Sequence, residues 1–207
     1  MAEIIRIYPD NPSEKHILHV LKVLQDGGVI VYPTDTVYSF GCDLMRQKAI
    51  ERIAKIKNIK PKEADFSIVF NDLSHLSNFT RPIETSTFKT LKRCLPGPFT
   101  FILDANNAVP KLFNSGKKTI GIRIPDHPIP RLLVEKLGRP IIASSVHDPD
   151  ELIEYTTDPE LIAEKYGKLV DLIIDAGIGD NHASTVVNVT QNSLEIIREG
   201  KGSLDLL

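Results

Sequence analysis

Residues 28–43 read GVIVYPTDTVYSFGCD, and the reading of this stretch decides the fold. Val29, Ile30, Val31 and Tyr32 form a β-branched and aromatic run suited to a short buried strand. Pro33 withholds a ladder donor, and Thr34, Asp35, Thr36 and Tyr38 follow at once. In an α/β protein ligands sit beyond the carboxyl ends of strands, so a strand that runs out into hydroxyls marks a candidate pocket. The plain alternative is a turn in which Thr34 and Asp35 bond local backbone.

Working outward, a strand over 4–8 precedes a helical pattern of Ile17, Leu18, Leu21, Val23 and Leu24, which Gly27 and Gly28 stop. Beyond the polar loop, Ala49, Ile50, Ile53, Ala54 and Ile56 mark a second amphipathic helix. A short apolar strand spans 66–70. Leu73, Leu76 and Phe79 suggest a helical turn, and Phe88, Leu91 and Leu95 a helix that ends at Pro96-Gly97-Pro98. Strands over 99–103 and 119–124 flank a polar, basic loop at 114–118, and Leu132, Leu133, Val134 and Leu137 form a helix closed by Gly138. After a buried strand over 140–145 come a helix through Leu161, Ile162, Tyr166 and Leu169, then strands over 172–174, 185–189 and 194–197. Strands and helices alternate, which predicts a layered α/β domain; the helix-free intervals near the end predict antiparallel pairs and hence a mixed sheet.

With 207 residues, 42% of them hydrophobic, the chain can bury one substantial core, and one domain over 1–207 is expected. A net charge of -2 gives no global signature of nucleic-acid binding, so an RNA surface would have to be a local patch. Cys42 and Cys94 are too few and too far apart for a disulfide framework, which suits a reducing compartment. No window approaches a membrane span, and the opening MAEIIRIYPDNP lacks a basic segment followed by an apolar block; a cytoplasmic protein is expected.

Four polar clusters lie at or beside strand ends. Thr34, Thr36 and Tyr38 offer hydroxyls suited to an amino acid or a sugar. Lys57, with Lys55 and Lys60, can meet phosphate oxygens, the alternative being a solvated helix face. Arg123 stands inside the apolar run TIGIRIP, with His127 beyond it; a buried guanidinium needs an anionic partner, and a substrate is one candidate. Ser144, Ser145, Ser184, Thr185 and Arg198 make the fourth. Neither GxxxxGK[ST] nor GxGxxG occurs, and the six histidines lack zinc-ligand spacing, so no metal site is expected.

The same residues carry a resemblance. From about Ile4 to Gly200 the chain resembles the YrdC/YciO family: PTDTVYSFGCD is similar to that family's PTDTVYGLGCD, and LPGPFTFIL to its PGP-aromatic-Thr segment. TIGIRIPDHP, STVVNVT and IIREG stand where the family has related strings, in the same order and spacing. The resemblance implies an α/β fold with a twisted mixed sheet flanked by helices, around a basic concave cavity. It also implies synthesis of L-threonylcarbamoyladenylate from ATP, L-threonine and bicarbonate, with Mg²⁺ as the accompanying ion, in the t6A modification of tRNA. By matching positions, Thr34, Thr36 and Tyr38 face threonine or its carbamate, Lys57, Ser145, Ser184 and Arg198 face ATP, and Arg123 pairs with a substrate carboxylate or phosphate. Lys57 and Arg123 are the implied catalytic cations.

The departures point to the YciO branch. Where the family has KGRP this chain has Lys57-Asn58-Ile59-Lys60; its SAN is Ser145-Val146-His147, the Asp of STVVD is Asn188, and VYGLG is VYSFG. Replacing a phosphate-bonding arginine by isoleucine removes about 2–4 kcal/mol of transition-state stabilisation. Three readings stay open: a nucleotidyltransferase, slowed in this branch; a double-stranded RNA or tRNA binding protein on the same fold; and a cleft serving another carbamoyl or acyl phosphate.

Overall fold

The structure, a computed structural model, describes residues 1–60, 66–109, 119–147 and 156–207; the basic loop expected at 114–118 lies outside the described residues. The elements in chain order are β1 (Glu3–Arg6), α1 (Glu14–Gln25), β2 (Ile30–Tyr32), β3 (Ser39–Gly41), α2 (Gln47–Ile56), β4 (Ser67–Val69), α3 (Thr85–Cys94) and β5 (Phe99–Asp104). There follow β6 (Thr119–Arg123), α4 (Pro128–Leu137), β7 (Ile141–Ser145), α5 (Pro159–Tyr166), β8 (Leu172–Asp175), β9 (Thr185–Asn188) and β10 (Glu195–Arg198). Among the described residues the strands form one sheet in the order β1-β8-β2-β3-β7-β4-β6-β5-β9-β10. Pairing is parallel for β1–β8, β8–β2, β4–β6 and β5–β9 and antiparallel elsewhere, a mixed sheet as expected from the sequence.

The alternation of side chains along each strand builds two layers. On one face Val31, Phe40, Ile142, Ile173, Ile68, Ile122, Phe101 and Val187 join the larger core, together with Ala49, Ile50, Ile53 and Ala54 of α2, Leu91 of α3, and Ile162 and Tyr166 of α5. On the other face Ile30, Tyr32, Leu172, Ile174, Ile141 and Val69 pack beneath α1 and α4. α1 presents Ile17, Val20, Leu21 and Leu24 at the spacing of one helical face, and α4 presents Ile129, Leu133, Val134 and Leu137 likewise. α4 begins with Pro128 in its first turn. His127 caps it, Nδ1 accepting from the Ile129 N–H at 3.3 Å. Gly138 ends it at φ +70, a left-handed turn that glycine adopts without strain.

Only part of that second face is covered. α1 and α4 lie over β1, β8, β2 and the near ends of β7 and β4; from there to β10 no helix among the described residues covers the same face. No helix among the described residues is long and apolar enough to cross a membrane.

Candidate functional site

The uncovered face is the floor of a cavity of about 780 Å³. Cross-strand register shows how the floor is laid. Ala143, Ser67, Gly121, Ile102 and Asn188 are successive partners across β7, β4, β6, β5 and β9, so all five present to one side. Each lines the cavity. Along the same strands, Ile142, Ile68, Ile122, Phe101 and Val187 alternate with them into the core. Small polar residues and glycine keep this floor low: a Cβ added to Gly121 would come within 3.1 Å of Ser67 Oγ and 3.4 Å of Thr100 Cγ2.

A second row runs Thr100, Val186, Arg198 across β5, β9 and β10. Arg198 reaches it through a bulge. Ile196 pairs with Val187, regular pairing would then set Ile197 opposite Val186, and the register shift sets Arg198 there instead. Its Nη2 donates to the Ser184 carbonyl at 2.8 Å, and Ser184 Oγ shares a 2.8 Å hydrogen bond with Thr100 Oγ1.

The walls come from the loop after β2 and the end of α2. Lys57 is the residue that closes α2, and its ammonium donates to the Ser145 carbonyl at 2.7 Å across the cavity rim. Desolvation lowers its pKa below the ordinary 10.5. Ile59, placed by the left-handed turn at Asn58, also lines the cavity. Arg123 Nη2 donates to Asp35 Oδ1 at 3.0 Å and to Thr36 Oγ1 at 2.9 Å; the Arg123 and Asp35 side chains are only 6% and 8% exposed. Lys201 fastens the same loop from the C-terminal side, donating to the Asp35 carbonyl at 2.6 Å and pairing with Asp180 at 2.7 Å.

The structure therefore brings Thr36, Lys57, Arg123, Ser145, Ser184 and Arg198 around one cavity, and it leaves Thr34 and Tyr38 off the lining. Thr34 Oγ1 donates to the Val37 carbonyl at 2.7 Å and stands 3.0 Å from Thr36 Oγ1, so it braces the loop from behind. The Tyr38 hydroxyl donates to the Gly177 carbonyl at 2.7 Å and accepts from the Ala176 N–H at 3.1 Å; burial pushes its pKa up to about 12. The anionic partner that a buried Arg123 requires is supplied within the chain by Asp35. Sequence reasoning missed Asp35 in that role, and it missed Ser67, Thr100, Gly121 and Asn188 as floor residues. The signal was available for three of these: Thr100, Gly121 and Asn188 alternate with large apolar residues in FTFILD, TIGIR and TVVN.

Among the described lining residues Lys57, Arg123 and Arg198 carry charge and none is a carboxylate. Asp35 offsets Arg123, which leaves Lys57 and Arg198 as the cations that no carboxylate in the lining neutralises. Hydroxyls, two such cations and a floor deep enough for a drug-sized molecule can hold a polar anion.

A family model described as "Telomere recombination", for the Sua5, YciO and YrdC proteins, matches residues 22–200. YciO of Escherichia coli (strain K12) is 37% identical over 206 residues, 99% of this chain and 98% of its own length. The crystal structure of E. coli YciO superposes with a TM-score of 0.92 at 36% identity, covering 100% of this chain and 99% of that one. A threonylcarbamoyl-AMP synthase of Coxiella burnetii (strain RSA 493 / Nine Mile phase I) is 29% identical over 167 residues, 81% of this chain and 88% of its own. The crystal structure of P. abyssi Sua5 complexed with L-threonine superposes with a TM-score of 0.86 at 27% identity, covering 95% of this chain and 57% of that one. Fold and sequence agree, and the chain belongs to the Sua5/YciO/YrdC family.

Proposed function

We propose that the chain is a cytoplasmic nucleotidyltransferase of the threonylcarbamoyl-AMP synthase type, joining L-threonine, bicarbonate and ATP for tRNA t6A modification, with slow turnover. The observation that carries this reading is the cavity lining: cations and hydroxyls without a carboxylate among the described residues, on a floor built from alternate residues of five strands. The relatives that act as threonylcarbamoyl-AMP synthases and the Sua5 structure with bound L-threonine support the choice of substrates.

In this reading the amine of threonine adds to the carbon of bicarbonate with loss of water, forming a carbamate. A carbamate oxygen then attacks the α-phosphorus of ATP as the bond to the bridging oxygen breaks and pyrophosphate leaves. The protein's part is positioning and charge. Lys57 and Arg198 meet phosphate oxygens, with Ser145 and Ser184 supplying hydroxyls beside them. Arg123, held by Asp35 and Thr36, offers its remaining donors to the carboxylate or a phosphate; Thr34 acts only through Thr36, and Tyr38 only by bracing the loop.

Mg²⁺ would accompany the nucleotide. Among the described residues no three His, Cys, Asp or Glu side chains cluster to hold a metal, and the cavity's donors are hydroxyls and cations. Phosphate oxygens would hold the ion, and it would supply charge neutralisation there. Slow turnover follows from Ile59, a hydrocarbon on the cavity wall where the resembling sequences carry a five-donor cation.

A pyrophosphate-release assay with ATP and bicarbonate, with and without L-threonine, tests the reading. Threonine-dependent release, raised in Ile59→Arg, is the expected result. Absence of ATP affinity at millimolar concentration would overturn it, and tRNA binding with a steep salt dependence in its place would favour the RNA reading.

A further inference from the structure

Ser39 opens β3 and lines the cavity, yet it is 1% exposed and its hydroxyl has no hydrogen-bond partner among the described residues. Buried hydroxyls in strands are ordinarily satisfied, because an unmade bond forfeits the water it gave up. Several of the polar groups near Ser39 are engaged with other partners. Its cross-strand partner is Ser145, whose carbonyl already takes the Lys57 ammonium at 2.7 Å. Thr36 Oγ1 is held by Arg123 and Thr34, and the Thr34 hydroxyl is committed to Val37. On the opposite strand face, Phe40 is buried in the core, so the orientation of Ser39 into the cavity is fixed by the pleat.

We infer that Ser39 is a ligand-reading residue whose hydroxyl donates to an anionic oxygen of the bound substrate at the rim shared with Ser145 and Lys57. A donor suits this place because the adjacent charge is positive and no carboxylate lines the cavity among the described residues. The chemistry that would recognise it is a carboxylate, carbamate or phosphate oxygen, and the inference rests on the cavity being the substrate site argued above. Ser39 then acts as a specificity determinant: a ligand without an acceptor at that point leaves the hydroxyl unpaired, and one with it completes the pair.

Two variants test this, Ser39→Ala and Ser39→Cys, the second a near isostere with a weak donor. The readouts are calorimetric affinity for ATP and, separately, for L-threonine, and the melting temperature of the ligand-free protein. In both variants the affinity for at least one probe falls about tenfold or more while the ligand-free melting temperature does not fall, since the lost hydroxyl bonded nothing. Loss confined to L-threonine assigns the carboxylate; loss confined to ATP assigns a phosphate. Wild-type binding with unchanged affinity for both probes in the variants would overturn the role of Ser39 and leave the substrate site standing. A lower ligand-free melting temperature with unchanged affinities would make the residue structural. Wild-type protein that binds neither probe would remove the substrate site and this role together.

Discussion

One face of the sheet leads two lives. Beneath α1 and α4 it carries Ile30, Tyr32, Leu172, Ile174, Ile141 and Val69, large apolar side chains sealed by two helices. A few strands further on, the same face carries Ser67, Gly121, Thr100, Asn188 and Arg198 and is open. On the opposite face Val31, Phe40, Ile142, Ile68, Ile122, Phe101 and Val187, from β2 across to β9, are buried in the larger core. Covering therefore decides residue type: where a helix packs, apolar area leaves water and stabilises the fold, and where none packs, the positions are released for ligand chemistry. Arg123 stands on this boundary. Its register partner Val69 packs beneath the helices, and Arg123 itself lines the cavity.

The boundary pair should give the largest effect. Arg123→Ala strips Asp35 of its counter-ion while leaving that carboxylate buried, so denaturant unfolding should show a loss of about 3–5 kcal/mol. Changing both partners to apolar residues of similar volume should recover much of it. Under the helices, Leu133→Ala removes a fully buried side chain of α4 and should cost about 2–5 kcal/mol, with ATP affinity unchanged by calorimetry. On the open half the pattern should reverse. Gly121→Val raises the floor into the space between Ser67 and Thr100 and should lower ATP affinity by more than about tenfold, with a stability loss of about 1–3 kcal/mol.

The smallest effect concerns pH. Burial lowers the pKa of His127 from 6.5, against the opposing pull of Asp35 and Asp126, and its neutral Nδ1 accepts the α4 cap bond. The folded state then binds fewer protons than the unfolded state below 6.5. Its contribution is complete above that pH and is lost as pH falls toward the folded pKa. Unfolding midpoints at pH 8 and pH 5 should differ more in wild type than in His127→Asn, which keeps a cap without titrating.

Much of this was legible in the sequence. The helices of α1, α2 and α4 announced themselves through apolar residues at helical spacing, the layered α/β class through alternating elements, and the mixed sheet through helix-free intervals near the end. β3 was not seen, because three residues reading Ser-Phe-Gly carry too little alternation to separate them from the hydroxyl-rich loop before them. That omission also hid Ser39 and misdirected Tyr38: once a strand begins at Ser39, the pleat separates Ser39 from Phe40, and Tyr38 instead reaches Gly177 and Ala176. Asp35 was read as a turn residue since its partner lies 88 positions away, a distance that local pattern does not cross. The bulge that brings Arg198 onto the floor is a matter of register between β9 and β10, and no composition signals it.

The claim that the uncovered half is the ligand site is tested most directly by mapping amide chemical shifts of the wild-type protein as ATP and L-threonine are added. Shifts should concentrate at Thr36, Ser39, Gly121, Ser145, Ser184 and Arg198 and spare Val20, Leu24, Ile30, Leu133 and Leu172 beneath the helices. Shifts centred on the helix-covered half, or none at millimolar ligand, would contradict it.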